Sequence, residues 1–197
     1  DKNSSFHQRK KSIYIKNGQI VKIADHLEIE DAEIIQGKEL MVSPTFFDPF
    51  VNFGEPGFED RETIENGLTV AAKGGFGDVI LQSTTQPNFD QASTVGQILS
   101  KYSDEICRLH IAGALSISKA GKELSEILEL DAYGVKGFSD VFNSVEDANL
   151  LKLALLYAQK VDQTIFSFPL DTQLADRAAV HENIDTYTLG LRSMPAM

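Results

Sequence analysis

Two aspartates stand at the ends of predicted strands, where a carboxylate can bind a cation or accept hydrogen bonds from the following loop. Asp48 lies in the predicted strand 44–51, and Asp140 follows the short predicted strand 134–138. Carboxylate oxygens are ligands of divalent metals and also common acceptors for backbone N–H groups in turns. Of the two interpretations, a remnant ion or ligand site and loop capping, we favour loop capping.

The histidines and the single cysteine add little catalytic potential. His110 lies among apolar residues without a partner motif, so we interpret it as a structural histidine. His181 lies in a polar loop, where a solvated or loop-bonded side chain is expected. Cys107 precedes the apolar run LHIAGAL and is predicted to be a buried thiol, and one cysteine allows no internal disulfide.

From residue 44 onwards, apolar strand-like segments alternate with amphipathic helical ones, a pattern typical of parallel β-structure with right-handed crossovers. Spacing alone does not separate an open doubly wound sheet from an unfinished (β/α)8 barrel. No glycine-rich nucleotide-binding motif follows a strand. The predicted strands are 44–51, 77–83, 108–115, 134–138 and 164–168, and the predicted helices are 61–74, 90–102, 121–130 and 144–161.

The first 43 residues are predicted to form a separate small β module. Residues 12–23 show two short alternating segments around Asn17-Gly18, a dipeptide that accepts positive φ at both central turn positions. One or two further short β segments are expected at 33–43. In the second part, Ser144 and Asp147 form a predicted capping box at the start of the helix 144–161.

The composition excludes several classes of function. The chain has 197 residues, 42% hydrophobic and 24% charged, as in soluble globular proteins, with a net charge of −11. Such a charge argues against partners that are nucleic acids or anionic membranes. No apolar run approaches the ~20 residues of a membrane span. The polar N-terminus has no signal-peptide core, so a cytoplasmic protein is expected.

The stretch 42–57, VSPTFFDPFVNFGEPG, resembles the first barrel strand of the dihydroorotase family of cyclic amidohydrolases. The family strand reads approximately Pro-Gly-x-Ile-Asp-x-His-x-His-x-Arg-Glu-Pro-Gly. Weaker similarity follows in family order at 65–77, 110–139 and 181–195. The residues of 42–57 that match are Pro44, Asp48, Glu55, Pro56 and Gly57.

The resemblance implies an α/β, TIM-barrel-like (β/α)8 fold of the metal-dependent hydrolases. Residues 44–197 would form its N-terminal part, with about the first five β/α units, and residues 1–43 would form a composite β-sandwich module. A closed barrel needs ~250 residues. We therefore expect this sequence to be part of a longer protein.

The resemblance also identifies the family's metal positions. Phe50, Asn52 and Phe168 stand where the family has metal-binding histidines, and Asp140 is retained where the family has a ligating carboxylate. Phenylalanine has no donor atom, and asparagine offers only a carbonyl oxygen, a poor zinc ligand. The family uses zinc, but no zinc and no catalytic residue are expected in this chain.

The substrate positions of the family are changed as well. Gly54 replaces the arginine that holds the substrate carboxylate, so the bidentate fork is lost, and Thr84 replaces a substrate-binding asparagine. We expect Phe50 and Phe168 to point into the barrel and to fill the space of the metal centre as buried packing residues.

Three functions remain open. The resemblance favours a catalytically inactive dihydroorotase-like protein of pyrimidine biosynthesis. It would act as a structural or regulatory partner, for example of aspartate transcarbamoylase or of a second copy of itself. An alternative is an active dihydroorotase or related cyclic amidohydrolase, converting dihydroorotate to N-carbamoyl-aspartate, with metal ligands drawn from Asp48, Asp140, His181 or sequence beyond these 197 residues. Another is a small-molecule-binding barrel with a mouth lined by Thr84, Asn52 and Phe168.

Overall fold

The computed structural model describes residues 2–175 and 177–195. The chain divides into two compact units, Asp1–Pro44 and Thr45–Met197.

The first unit contains a β-hairpin. Strands β1 (Ser12–Lys16) and β2 (Gln19–Ala24) pair antiparallel. Asn17 and Gly18 take φ of 51° and 72° in the turn between them, which confirms the hairpin predicted from this dipeptide. The prediction of β segments at 33–43 is wrong, because this fully described stretch contains no strand.

The second unit is built on a parallel sheet, as predicted. Strands β3 (Phe46–Val51), β4 (Phe76–Leu81) and β5 (Arg108–Ile111) pair in the order β3-β4-β5.

Isolated parallel bridges continue the sheet from Gly113 to Phe138 and from Phe138 to Ile165. The predicted regular strands at 134–138 and 164–168 are therefore wrong in extent, since each contributes only a bridge. In the first of them, Gly134 and Gly137 take φ of 96° and 133°, which interrupts an extended strand.

Four helices follow the strands: α1 (Ile64–Lys73), α2 (Ala92–Lys101), α3 (Ile127–Ala132) and α4 (Ala148–Lys160). A 3-10 turn covers Ile117–Lys119, and the later elements are α5 (Thr172–Ala175), β6 (Val180–His181), α6 (Ile184–Tyr187) and β7 (Ser193–Met194). Within the described ranges, no helix is long and apolar enough to cross a bilayer.

Two helix starts differ from the predictions. The helix predicted at 121–130 begins only at Ile127, because Leu124 bridges back to Ser116 and extends the preceding segment instead. The capping box at Ser144 is not formed. Asp147 caps α4, and its side chain accepts hydrogen bonds from the backbone N–H groups of Asn149 and Leu150.

The core lies between the helices and one face of the sheet. Val51 and Phe53 pack against this core, and the alternating positions Phe50 and Asn52 face the opposite side. That opposite face carries the candidate site. Residues that form the core include Ile64, Leu68, Val79, Leu81, Val95, Leu109 and Ile111.

Candidate functional site

A cleft of about 250 Å³ opens at the C-terminal ends of the parallel segments. Residues from the loops after β3, β4 and β5 and after the bridge at Phe138 contribute to it. In parallel α/β folds, loops at this edge of the sheet carry the binding residues. The cleft is lined by Asn52, Arg61, Thr84, Lys119, Asp140, Val141, Phe142 and Asn143.

Asp140 is buried and surrounded by donors from the loop after β5. Its Oδ1 accepts hydrogen bonds from the backbone N–H groups of Leu115 and Ser116, both at 2.9 Å, and its Oδ2 accepts one from the Ser116 hydroxyl at 2.5 Å. Three donors satisfy most of what a buried carboxylate requires. The geometry is that of loop capping, which ties the loop after Phe138 to the loop after β5.

Asp48 is likewise engaged, within β3, because its Oδ1 accepts a hydrogen bond from the backbone N–H of Phe50 at 2.9 Å. His110 pairs with Asp78 at 2.8 Å, and Arg108 bonds to the same carboxylate at 2.8 Å. These bonds lower the pKa of Asp78 against the opposing effect of burial. His181 lies in β6, and among the described residues no hydrogen bond joins its side chain to the cleft. The structure thus does not bring Asp48, Asp140 and His181 together as a ligand set.

The three phenylalanines around the cleft form a row. The Phe142 ring lies between those of Phe50 and Phe168, with centroid distances of 6.0 and 5.9 Å and edge-to-face angles of 61° and 89°. The expectation of buried packing residues is not met in the described part of the chain, where Phe50 is 42% and Phe168 37% exposed. Both rings lie on the sheet face opposite the helical core, where no second layer of the described chain covers them.

Asn52 and Thr84 come together at the ends of β3 and β4. The Thr84 hydroxyl donates a short hydrogen bond to Oδ1 of Asn52. This bond orients the Asn52 amide, so that its oxygen faces Thr84 and its N–H₂ group remains available as a donor.

Gly54 is enclosed by its own loop. Its N–H donates to the Glu62 carbonyl at 2.9 Å, and its carbonyl accepts from the Phe58 N–H at 2.8 Å. A Cβ atom here would overlap the Phe58 carbonyl oxygen and lie 2.9 Å from that of Glu62. The backbone therefore has no room for the arginine of the family.

Glu55, which matches the family motif, has a structural role in this chain. Its carboxylate accepts bonds from the backbone N–H of Ile64, the ammonium of Lys101 and the hydroxyl of Tyr102, at 2.9 to 3.0 Å. Burial acts to raise the pKa of Glu55, but these bonds and the Lys101 charge outweigh it, so the pKa lies below its ordinary value of 4.5. The pKa of Lys101 is raised, first by the Tyr102 hydroxyl beside it and then by Glu55.

Sequence reasoning missed Arg61 and Lys119, the two cations of the cleft. Arg61 lies over the ring of Phe58, 5.3 Å from its centroid, in the loop closed by Gly54. Lys119 follows β5 and takes a positive φ of 55°. In the sequence, the two residues could have been noticed only as one basic residue in the loop after β3 and one in the loop after β5. That pattern is weak evidence for a site, because the sequence does not show that both loops reach the same cleft.

The donor set does not suit zinc. Phe50 and Phe168 have no donor atoms, the oxygen of Asn52 is bonded to Thr84, and three donors surround Asp140. Zinc sites in proteins use imidazole, thiolate and carboxylate ligands. Across residues 2–175 and 177–195, no group of three or more His, Cys, Asp or Glu side chains lies close enough to hold a metal ion.

A family model described as Dihydro-orotase-like matches residues 39–197. The chain belongs to this family. It is similar to proteins named dihydroorotase from Acetivibrio thermocellus, with 33% identity over 185 residues, and from Ruminiclostridium cellulolyticum, with 34% over 181. A third relative, from Pelotomaculum thermopropionicum, is 31% identical over 186 residues. These alignments cover 91–94% of this chain but only 42–44% of each relative.

Membership confirms the resemblance inferred from residues 42–57. Glu55 and Gly57 match the family's sequence motif. A Cβ atom on Gly57 would overlap the Gln86 carbonyl oxygen and so disturb the contact between the loops after β3 and β4. The lining of the cleft combines two cations, two amides and one aromatic ring with Thr84, Asp140 and Val141.

Proposed function

We propose that this chain is a dihydroorotase-like protein of pyrimidine biosynthesis without hydrolase activity, and that it acts in the cytoplasm as a structural or regulatory partner. The observation that carries the proposal is the replacement of three imidazole positions by Phe50, Asn52 and Phe168. Opening or closing a cyclic amide in this family depends on a metal that activates water and polarises a carbonyl. The side chains at these positions supply neither function.

The engagement of the remaining acids supports the same proposal. Asp140 accepts hydrogen bonds from backbone N–H groups of the loop after β5, and Asp48 accepts one from the backbone N–H of Phe50 within β3. A rebuilt metal centre would compete with these N–H groups for the carboxylate oxygens, and each buried N–H group left unpaired costs about 1–3 kcal/mol.

The fold proposal follows the family. The parallel segments from β3 to Ile165 are the first five units of a (β/α)8 barrel, and residues 1–43 are part of a composite β-sandwich module. Aspartate transcarbamoylase is the proposed partner, and self-association is the alternative. Either role requires an intact fold but no reactive centre.

The test combines turnover, metal content and assembly in the full-length protein. We expect no conversion of dihydroorotate or N-carbamoyl-aspartate above background, no stoichiometric zinc, and a complex with aspartate transcarbamoylase by light scattering. A rebuilt active site would instead give measurable turnover that depends on zinc. In that case turnover and zinc content should both fall in the double variant Asp48→Asn/Asp140→Asn, and neither should fall in the exposed control Asp104→Asn. Absence of any complex would remove the partner role.

A further inference from the structure

The sequence contains two Asn-Gly pairs, Asn17-Gly18 and Asn66-Gly67, and the fold places them in contrasting surroundings. An asparagine side chain can be attacked by the backbone nitrogen of the next residue, and glycine hinders that nitrogen least because it has no side chain. When the two groups can meet, the reaction is intramolecular and needs no enzyme. The two pairs therefore compare an open position with a protected one in the same chain.

Asn17-Gly18 lies in the turn between β1 and β2. Both residues are exposed, and a Cβ atom added at Gly18 would have no neighbour within 4 Å. In the described part of the chain, no hydrogen bond joins the Asn17 side chain or the Gly18 N–H to a partner. Both groups that would react are thus free of competing contacts.

The hairpin around this turn restrains it only weakly. β1 and β2 form a two-stranded sheet, and such a sheet alone is marginally stable in water. The register of the pairing also shifts between Tyr14 and Ile15, close to the turn. Opening of the hairpin end lets the Asn17 backbone rotate until the side-chain carbonyl carbon meets the Gly18 nitrogen.

Asn66-Gly67 is held inside α1. The Gly67 N–H donates to the Thr63 carbonyl at 3.0 Å, so the nitrogen that would attack is engaged in the helix. The Asn66 amide donates to the Glu62 carboxylate at 2.8 Å. Gly67 is buried against the Phe53 ring, and an added Cβ would lie 2.4 Å from a ring carbon. This pair can react only after α1 opens.

We propose that Asn17 is a site of spontaneous deamidation, at which the exposed turn converts to isoaspartate and aspartate. The Gly18 nitrogen forms a bond to Cγ of Asn17, and the bond from Cγ to the side-chain nitrogen breaks. The proton of the Gly18 N–H leaves with that nitrogen as ammonia, and a succinimide remains. Water then opens the ring. Addition at Cγ gives aspartate, and addition at the main-chain carbonyl carbon gives isoaspartate.

The two products differ in their effect on the hairpin. Each adds one negative charge to a chain of −11. Aspartate tolerates a positive φ as asparagine does, so the turn with φ of 51° at position 17 persists. Isoaspartate routes the main chain through the side-chain carbon and adds a methylene group, which no longer fits a two-residue turn. We expect faster hydrogen exchange over residues 12–24 in the isoaspartate form.

The test follows both pairs in the full-length protein by peptide mass spectrometry during incubation in mildly alkaline buffer, with and without denaturant. In the native protein we expect Asn17 to convert at least about tenfold faster than Asn66, since an extra opening free energy of about 1.4 kcal/mol for α1 gives that ratio. In denaturant the two rates should become similar. Similar rates in the native protein, an unchanged ratio in denaturant, or conversion of Asn17 only in denaturant would each overturn the proposal.

Asn17→Gln is the test variant, because a glutamine side chain must close a larger ring. Most of the isoaspartate in the native protein, counted as methyl groups accepted from an isoaspartyl methyltransferase, should disappear in it. The control Asn66→Gln makes the same change in α1 and should leave methyl acceptance unchanged. Equal methyl acceptance in both variants would contradict the proposal. No turnover is measured, and the comparison of the two pairs needs no variant, so the result is independent of the proposed function.

Discussion

The carboxylate of Glu55 accepts a hydrogen bond from the backbone N–H of Ile64, 2.9 Å away, at the first residue of α1. Glu55 thus satisfies a helix N–H group that has no partner inside the helix. Its bonds to Lys101 and Tyr102 tie the same loop to the end of α2. Glu55 matches the sequence motif of an enzyme family, and in this chain its contacts stabilise the fold.

Replacing this carboxylate should destabilise the protein in a pH-dependent way. Glu55→Gln is expected to lower the free energy of unfolding at pH 7 by about 2 kcal/mol, because bonds to a charged group are lost. The pKa of Glu55 is lowered in the folded state, so its contribution is present above pH 4.5 and is lost as the pH falls through the folded-state value. Denaturant unfolding of both proteins should therefore converge at acidic pH.

Glu123→Gln is the control for this prediction, since it makes the same change at an exposed position. An equal loss of stability in both variants, or a gap that stays constant with pH, would contradict the role of Glu55.

Gly54 should not tolerate any side chain. A Cβ there would overlap the Phe58 carbonyl, so Gly54→Ala must open the loop and is expected to cost about 3 kcal/mol. Gly74→Ala is the control, because its added Cβ would lie no closer than 3.3 Å to any neighbour. Thermal unfolding should show a large loss for the first variant and a small one for the second. Equal stability would mean that the loop adapts, and that the family's arginine could return.

Asp140 is predicted to matter for stability. Asp140→Ala leaves two buried N–H groups and a hydroxyl without an acceptor, so we expect a loss of about 3 kcal/mol or more, against almost none for the exposed Asp104→Ala. Chemical denaturation measures both. A small loss in Asp140→Ala would refute the loop-capping role.

Phe50 should contribute less than a core aromatic. Because 42% of it is exposed, Phe50→Ala is expected to cost about 1–2 kcal/mol, roughly half the usual loss for a buried phenylalanine. Phe89 is fully buried, and Phe89→Ala should cost about 3–5 kcal/mol. Comparable losses in unfolding experiments on the full-length protein would show that another layer covers Phe50.

The sequence predicted those features that depend on local periodicity. The predicted amphipathic segments 61–74 and 90–102 contain α1 and α2, whose buried faces lie in the core, and Asn17-Gly18 forms the predicted turn. The parallel order of the three strands followed from their alternation with helices.

The cationic side of the site was not predictable in the same way. Arg61 reaches the cleft because hydrogen bonds between Gly54 and both Phe58 and Glu62 close the loop. The hydropathy pattern of the sequence does not predict such a loop conformation. The exposure of Phe50 depends on which layers cover β3, a long-range property. The resemblance located the changed positions, but only the structure showed that Gly54 has no room for a side chain.

Restoring the three histidines should not restore an enzyme. In Phe50→His/Asn52→His/Phe168→His, the rings at 50 and 168 would still be separated by Phe142, about 6 Å from each. Two imidazoles on one zinc ion must each bring a nitrogen to ~2.0–2.1 Å from the metal. We therefore expect no stoichiometric zinc by elemental analysis and no dihydroorotate turnover. Adding Phe142→Ala removes the intervening ring, and zinc uptake without turnover is then expected, because Gly54 and Thr84 still leave the substrate carboxylate without its family partners. Turnover in either variant would show that these two replacements matter less than the lost imidazoles.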